Sequence, residues 1–372
     1  MISLATTAIA WVILTITVIG WVVYYFANRN SARPELGSEV ELAPNRRPYY
    51  DDETLEGSRL TRVNLIGVLL LVTMVIGLPV YWVLEPGRQA GAVSLKEETF
   101  VKWGGDLFET TANGGFNCAG CHGGMKAVGG QAPTAVTDPK TGEVRAVNWY
   151  APALNTVLYR FSGAEVQFIL NYGRTFSPMS AWGTIGGGPM NSQQIETIIA
   201  YLRSIQLPPS GCVTDPAFEP VSELTDLTKL KICDGGTLPD DEKEKIDKSA
   251  TVAAQKLVDA GKYTTVDKAM GEALFNLDIN SGAYSCARCH TEGWSYQSPG
   301  VPGQGAFGWN LTAGSTNSHF PSEQDMIDFI KSGSELGQRY GRQSQGTGRM
   351  PGFGALLTDE QIKAIVEYVR SL

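Results

Sequence analysis

The sequence predicts a mostly α-helical protein in which a hairpin of two N-terminal transmembrane helices precedes two similar helical domains. Two long apolar stretches without charge predict the membrane helices, and an internal repeat predicts the two domains. Each copy of the repeat ends in an amphipathic helix, Ile195 to Ser204 in the first and Ile362 to Ser371 in the second. Apolar residues at positions i, i+3, i+4 and i+7 give both helices one buried face.

The predicted membrane helices run from about Leu4 to Phe26 and from about Val63 to Leu84. Each meets the length of roughly 20 residues that a bilayer requires. The loop between them, residues 27–62, is rich in arginine and is expected to be cytoplasmic, so both chain ends and the two domains lie outside the cell membrane. A cleaved signal peptide is the alternative for the first stretch, although the stretch lacks a basic start.

The predicted organisation has four parts. Residues 1–88 form the anchor, 89–206 the first domain, 207–262 a connector and 263–372 the second domain, with a linker beginning at Glu85. The connector contains Cys212 and Cys233. In an oxidising compartment these cysteines are expected to form a disulfide that closes a loop of about 20 residues and contributes roughly 3 kcal/mol. A pair of free thiols is the alternative.

Local signals mark the same elements in both domains. The pattern Gly-x-x-Leu-Phe is complete at Gly271 to Phe275 and looser at Gly105 to Phe108. Asn191 and Thr358 are plausible N-caps of the closing helices, and Gln361 completes a capping box with Thr358. Glycine-rich insertions at residues 123–148 and 292–310 follow the motif described next and are expected to wrap around a cofactor.

The pentapeptide Cys-x-x-Cys-His occurs twice, at Cys118, Cys121 and His122 and again at Cys286, Cys289 and His290. The two cysteines of such a motif each add to a vinyl group of a haem, and the histidine binds the iron. The motifs use four of the six cysteines and two of the three histidines. They therefore predict two covalently bound haems c. A zinc site or a redox-active thiol pair is the alternative, but zinc needs four ligands gathered together.

The second axial ligand decides what such a haem does, since a methionine raises the reduction potential and an open face admits small ligands. Met350 lies in a Gly- and Pro-rich loop before the last helix and is predicted to be the ligand of the second haem. Met179 occupies the matching place in the first domain, and Met190 is its competitor. His319 is the uncommitted histidine and is expected to be a surface residue before the helix capped by Ser322.

The backbone carbonyl that orients a ligating histidine is also expected in both domains, because such histidines donate their second ring nitrogen to a carbonyl or carboxylate. Pro152 is positioned to supply that carbonyl in the first domain. In the second domain residues 307–311 occupy the equivalent place but lack the proline.

With these motifs the chain resembles class I cytochrome c domains arranged in tandem, over Lys102 to Gln206 and Val266 to Leu372. The resemblance implies a mostly helical fold, haem c held by the four motif cysteines, and axial pairs His122/Met179 and His290/Met350. The layout is similar to the dihaem subunit of C-family haem–copper oxidases and to the dihaem cytochrome cc of actinobacterial quinol–cytochrome c reductases. The latter usually carries its anchor at the C-terminus.

The composition adds limits on function. A net charge of −8 and a pI of about 5.1 argue against nucleic-acid binding, which needs a basic face. The leading hypothesis is a subunit that relays single electrons between quinol oxidation and a terminal haem–copper oxidase. Its expected partners are membrane lipid, integral subunits of those complexes and a soluble redox protein. A dihaem peroxidase and the cytochrome subunit of a periplasmic dehydrogenase are the alternatives.

Overall fold

The computed structural model describes residues 12, 15–16, 18–26, 55–138, 141–174, 177–211, 236–334 and 350–372. It is mostly helical and divides into two units, Met1–Leu95 and Lys96–Leu372. Three predictions fall largely or wholly outside the described residues: the start of the first apolar stretch, the arginine-rich loop up to residue 54, and the pairing of Cys212 with Cys233. They remain predictions.

In the first unit, residues 18–26 are helical, and a π-helical turn at Leu55–Arg59 leads into helix α1, Leu60–Phe108. Within the described residues, one helical stretch, Glu56–Phe108, is long and apolar enough to cross a membrane. The large apolar side chains between residues 63 and 84 are exposed. That exposure is expected of a helix whose surroundings are themselves apolar.

Helix α1 differs from the expectation of a linker after Glu85, because it continues without interruption to Phe108. Pro79 and Pro86 lie inside it. Proline removes one helical hydrogen bond but does not stop a helix whose other residues favour it. The stretch after Pro86 includes a run of good helix formers, Leu95 to Glu98, and Phe100, Gly104 and Phe108 are buried in the second unit.

The second unit, Lys96–Leu372, contains the end of α1 and a series of mostly short elements. The longer helices are α3 (Gly163–Tyr172), α4 (Ser192–Ser204), α5 (Asp240–Asp259), α6 (Val266–Phe275), α9 (Glu323–Ser332) and α10 (Asp359–Arg370). The short helices are α2 (Cys118–His122), α7 (Ala287–His290) and α8 (Ser315–His319), with an irregular turn at Ile279–Gly282 and 3₁₀ turns at Thr111–Asn113, Val157–Tyr159, Thr184–Gly186 and Trp294–Tyr296. Strands β1 (Gly130–Thr137) and β2 (Val144–Ala151) form an antiparallel hairpin.

The same helix crossing occurs twice in this unit. The end of α1 crosses α4 at Gly104, where a Cβ atom would lie 1.9 Å from the carbonyl oxygen of Thr197. Helix α6 crosses α10 at Gly271, where a Cβ would lie 2.1 Å from the carbonyl oxygen of Ala364. One turn later an aromatic pair closes each crossing, with ring centroids 5.2 Å apart for Phe108 and Tyr201 and 5.4 Å apart for Phe275 and Tyr368.

These crossings correct the reading of the repeat in the first domain. Gly104, not Gly105, is the counterpart of Gly271, so that residues 104–108 match Gly-x-x-Leu-Phe in full. A Cβ at Gly105 would lie 3.3 Å from the Tyr201 ring and meets no backbone atom within 4 Å. The predicted register at Gly105 is therefore wrong by one residue, and the spacing to Leu107 and Phe108 agrees with the crossing at Gly104.

The substitution Gly104→Ala is expected to destabilise the first domain by about 1–3 kcal/mol or more, because the methyl group would overlap the α4 backbone. Its matched control is Gly105→Ala, which is expected to change the free energy of unfolding by less than about 1 kcal/mol, since alanine favours the helix. Denaturant unfolding of the full chain, followed by absorbance of the bound cofactor, measures both. Equal losses for the two variants would contradict the assigned register.

The predicted caps of the helices are confirmed. The side chains of Asn191 and Thr358 accept hydrogen bonds from the backbone N–H groups of Gln194 and Gln361, and both pairs form complete capping boxes. The Ser322 side chain caps α9 by accepting a hydrogen bond from the backbone N–H of Asp325. The two closing helices α4 and α10 therefore begin at the residues that the sequence marks.

The glycine-rich insertion at residues 123–148 contains the β-hairpin, which was not expected. Its β-branched residues favour strands, and Gly142 makes the turn with a φ of 69°, a conformation that glycine adopts without strain. The end of the hairpin packs on the second domain. Trp149 lies 5.3 Å from the Tyr296 ring and Tyr150 lies 5.4 Å from the Trp294 ring.

Candidate haem sites

The histidine of each Cys-x-x-Cys-His motif donates a hydrogen bond to a backbone carbonyl in the expected place. The Nδ1 atom of His122 lies 2.9 Å from the carbonyl oxygen of Pro152, and that of His290 lies 2.8 Å from the carbonyl oxygen of Trp309. A carbonyl only accepts, so Nδ1 carries the proton in both rings. The Nε2 atom of each ring then keeps a lone pair for a metal.

The environment of these histidines favours the neutral ring that a metal requires. Burial lowers the pKa of both His122 and His290, and the hydrogen bond to the carbonyl opposes this lowering. The positive charge of Arg288 lowers the pKa of His122 further. Both imidazoles are therefore neutral near pH 7, with Nε2 available as a ligand.

The cysteines of the motifs are free and lie beside these histidines on short helices, α2 and α7. Burial raises the pKa of Cys118 to about 11 and that of Cys286 to about 12. In the absence of a bound metal, thiols of this kind stay protonated at neutral pH. Over the described part of the chain, no group of three or more His, Cys, Asp or Glu side chains is placed to hold a metal ion.

Met179 and Met350 are held by the same backbone device. A glycine with positive φ ends the preceding helix in each domain, Gly173 after α3 and Gly333 after α9. A Cβ at Gly173 would lie 2.5 Å from the carbonyl oxygen of Met179, and a Cβ at Gly333 would lie 2.6 Å from that of Met350. In both places the backbones approach too closely for a side chain. The residue after each glycine also donates its N–H to the methionine carbonyl: Arg174 to Met179 at 2.8 Å and Ser334 to Met350 at 3.0 Å.

The two competing ligands are placed differently. Met190 is 1% exposed, belongs to the first hydrophobic core and bonds through its backbone to Trp182 and Thr184, as expected of a residue packed at the start of α4. His319 ends α8 with an exposed side chain that stacks on the Trp309 ring at 6.4 Å. It lines the cavity described next, as does Trp309, whose carbonyl oxygen is the partner of His290.

One continuous cavity of about 610 Å³ joins the two motifs. Both sets of predicted site residues line it: Cys118, Cys121, His122, Met179, Cys286, Cys289, His290 and Met350. Met190 is not among its lining residues. The rest of the wall is mainly apolar and aromatic, as is usual for a site that holds a large planar cofactor. The structure thus brings all eight residues to one cavity.

Gly308 provides a fit test for a planar group at the second site. A Cβ at this position would lie 2.6 Å from Cε1 and 2.8 Å from Nδ1 of His290. The residue therefore leaves room for the imidazole to stand over its carbonyl partner. With the histidine tautomer, the neutral thiols and the cavity, this clearance fits haem c, which supplies an iron that accepts and releases one electron.

We expect Gly308→Ala to displace the His290 ring and to weaken its bond to the iron. Optical and electron paramagnetic resonance spectra of the haem-loaded protein should show an increased high-spin fraction at one haem. Gly300→Ala, in the same insertion, is the control, because its Cβ would meet only the Glu292 carbonyl at 3.3 Å and the Glu292 side chain at 4.0 Å. An unchanged spectrum in Gly308→Ala would show that the glycine is not needed for histidine placement.

Sequence reasoning missed three arginines that line the cavity, Arg160, Arg174 and Arg288. Burial lowers the pKa of Arg160 and of Arg288 to about 10, so both remain charged at neutral pH. The guanidiniums of Arg160 and Arg174 lie 5.7 and 5.3 Å from the Phe161 ring. Arg288 lies between the two cysteines of the second motif, so the sequence indicates that it is close to a candidate haem site. Nothing in the sequence indicates that it also contacts the loop of the first site.

The comparison with protein families finds one match. Residues 270–369 match the model described as cytochrome c oxidase, cbb3-type, subunit III. No curated protein and no solved structure matches the chain. The matched segment contains the second motif, Met350, and most of the α6 and α10 helices that cross at Gly271.

Residues 270–369 therefore form a cytochrome c domain, and a domain of this class binds haem c covalently. The match thus implies covalently bound haem c in the segment that contains the second candidate site. Electron transfer is the activity that such a domain suggests.

Proposed function

We propose that the chain is a membrane-anchored dihaem cytochrome c that relays single electrons between its two haems and its redox partners. Haem c would be held by Cys118 and Cys121 at the first site and by Cys286 and Cys289 at the second. His122 with Met179, and His290 with Met350, would supply the axial ligands. Two tandem cytochrome c domains then follow a two-helix hairpin on the outer face of the membrane.

The observation that carries this proposal is the repetition of the complete ligand framework around one cavity. The glycine crossing, the histidine–carbonyl bond and the glycine-clamped methionine each occur twice, once in the matched domain and once before it. A framework that fits haem c in the matched domain fits it equally in the other. The shared cavity supports close approach of the two haems, which a relay requires.

Two further observations support a membrane role and respiratory partners. The long apolar helix Glu56–Phe108 supports an anchor, and the family that matches residues 270–369 consists of oxidase subunits. We infer that the chain is an integral subunit of a respiratory complex that passes electrons from quinol oxidation to a haem–copper oxidase. It would transfer electrons as part of that complex and would catalyse no reaction by itself.

Isolation of the tagged full chain from native membranes in mild detergent tests the proposal. Haem quantification should give two haems c per chain, and reduced-minus-oxidised spectra should identify co-isolated cofactors. Haem b with an iron–sulfur subunit would mark a quinol–cytochrome c reductase, and haem–copper subunits would mark an oxidase. Haem c alone would contradict the subunit role.

The same preparation distinguishes the relay from a dihaem peroxidase. With two axial ligands on each iron, the fully reduced protein should show no spectral change with carbon monoxide, and the oxidised protein none with peroxide. Stoichiometric binding of either ligand would contradict six-coordinate irons and favour the peroxidase. A periplasmic dehydrogenase would instead be recognised by its co-isolated catalytic subunit.

A further inference from the structure

The loop that carries the carbonyl partner of His122 is clamped by the second domain. In this loop Tyr150 stands two residues before Pro152, and Ala153 follows it directly. The Nη1 atom of Arg288 donates to the carbonyl oxygen of Tyr150 at 3.0 Å, and the N–H of Ala153 donates to the carbonyl oxygen of Asn280 at 3.1 Å. Pro152, which lies between these two bonds, accepts from His122. The orientation of the first histidine therefore depends on residues of the second domain.

Arg288 is itself held in one orientation. Its Nε donates to the carbonyl oxygen of Gly282 at 3.1 Å, and its Nη2 donates to the carbonyl oxygen of Ser281. Its guanidinium lies 5.7 Å from the Trp294 ring, which in turn contacts Tyr150. The planar guanidinium of Arg288 thus bonds to three backbone carbonyl oxygens and lies near one aromatic ring. A lysine ammonium cannot make the same set of bonds.

The charge of Arg288 is as important as its bonds. The guanidinium of Arg288 is positively charged at neutral pH. The three atoms it contacts are neutral carbonyl oxygens, so these bonds fix the charge without cancelling it. An oxidised haem carries one more positive charge than a reduced haem, and a nearby fixed cation therefore favours the reduced form.

We propose that Arg288, a residue of the second attachment motif, positions the axial histidine of the first site and raises the reduction potential of the haem bound there. This inference rests on the proposed function, because it requires a haem at both sites. It makes the second domain part of the proximal environment of the first haem. The two haems are thereby coupled through a protein side chain as well as through their proximity.

The chain offers a matched control for the charge. Arg145 also lies at the junction of the two domains, where its guanidinium is 5.5 Å from the Tyr296 ring. It is exposed and stands on β2, five residues before Tyr150. Arg145→Gln removes one positive charge from the hairpin that carries Tyr150, without removing a hydrogen bond of the loop around Pro152.

The experiment is a redox titration of the full-length haem-loaded protein and of its Arg288→Gln, Arg288→Lys and Arg145→Gln variants. The component that responds to Met179→His is assigned to the first site. Arg288→Gln should raise the oxidised-to-reduced ratio of that component about tenfold at fixed ambient potential, equivalent to ~59 mV for one electron. Arg288→Lys should restore most of the potential but not the histidine orientation, which electron paramagnetic resonance reports.

The outcomes separate the two proposals. If the parent protein carries fewer than two haems c, the proposed function fails and this inference fails with it. If every variant retains two haems, but Arg288→Gln shifts the first component no more than Arg145→Gln does, the proposed function stands and the role of Arg288 is wrong. If Arg288→Gln loses haem, the Arg288→Lys variant provides the test. A first-site potential and a His122 orientation that both equal those of the parent would overturn the inference.

Discussion

Replacement of Met179 by leucine is expected to abolish the far-red methionine–iron absorption of the first haem and to lower its reduction potential by on the order of 0.1 V or more. The thioether is a weak ligand that stabilises the reduced iron, and leucine has no donor atom to replace it. Met179 lines the cavity, and its backbone is held by Gly173 and Arg174. The leucine would therefore stay in place without binding the iron.

The matched control is Met190→Leu in the same domain. Met190 is fully buried in the core and does not line the cavity. A swap of similar volume there should cost less than about 1.5 kcal/mol of stability and leave the spectrum and the potential unchanged. Absorption spectra and redox titration of both variants provide the comparison. A spectral loss in Met190→Leu, with a normal spectrum in Met179→Leu, would reverse the ligand assignment.

The second large effect is expected from removing the thiols of one motif. Cys118→Ala with Cys121→Ala should leave one covalent haem per chain, and Cys286→Ala with Cys289→Ala should do the same. Each thioether pair is the only covalent attachment of its haem, so the loss should be one half in both cases. Intact mass measurement and haem staining of denatured protein count the attached haems.

The double variant Cys212→Ala with Cys233→Ala is the control for this count, because these cysteines stand outside both motifs. Both haems should remain attached to it. If removing the second motif abolished all covalent haem, the first motif would not be an attachment site. If removing the first motif changed nothing, the chain would be a single-haem cytochrome.

The sequence was most informative where a function depends on near neighbours in the chain. The two pentapeptides and the capping residues could be predicted, because the groups involved are close in the chain. The carbonyl at Pro152 lies 30 residues from His122 and was predicted from the bond that the second nitrogen of a ligating histidine makes. Met179 was favoured over Met190 from its flanking residues alone, and the cavity now gives the two residues different positions. This choice of ligand remains a prediction for the experiment above.

Features that depend on distant contacts were missed. The helical continuation of α1 after Glu85 accompanies the burial of Phe100 and Phe108 in the second unit. The bond from Arg288 to Tyr150 joins residues 138 positions apart, which one sequence does not reveal. The assignment of Gly105 instead of Gly104 is an error of another kind, because residues 104–108 match the pattern in the sequence itself. The hairpin at residues 130–151 likewise has local signals, its β-branched residues and Gly142.

The clamp around Pro152 has a consequence for biogenesis. Chains are made from the N-terminus, and domains tend to fold in that order. The groups that hold Tyr150 and Ala153 belong to Arg288 and Asn280, which emerge only after the connector. The first half of the chain can therefore collapse early, but its last adjustment must wait until the second half has folded. Premature termination in the second domain would leave behind a first domain that is folded yet unfinished.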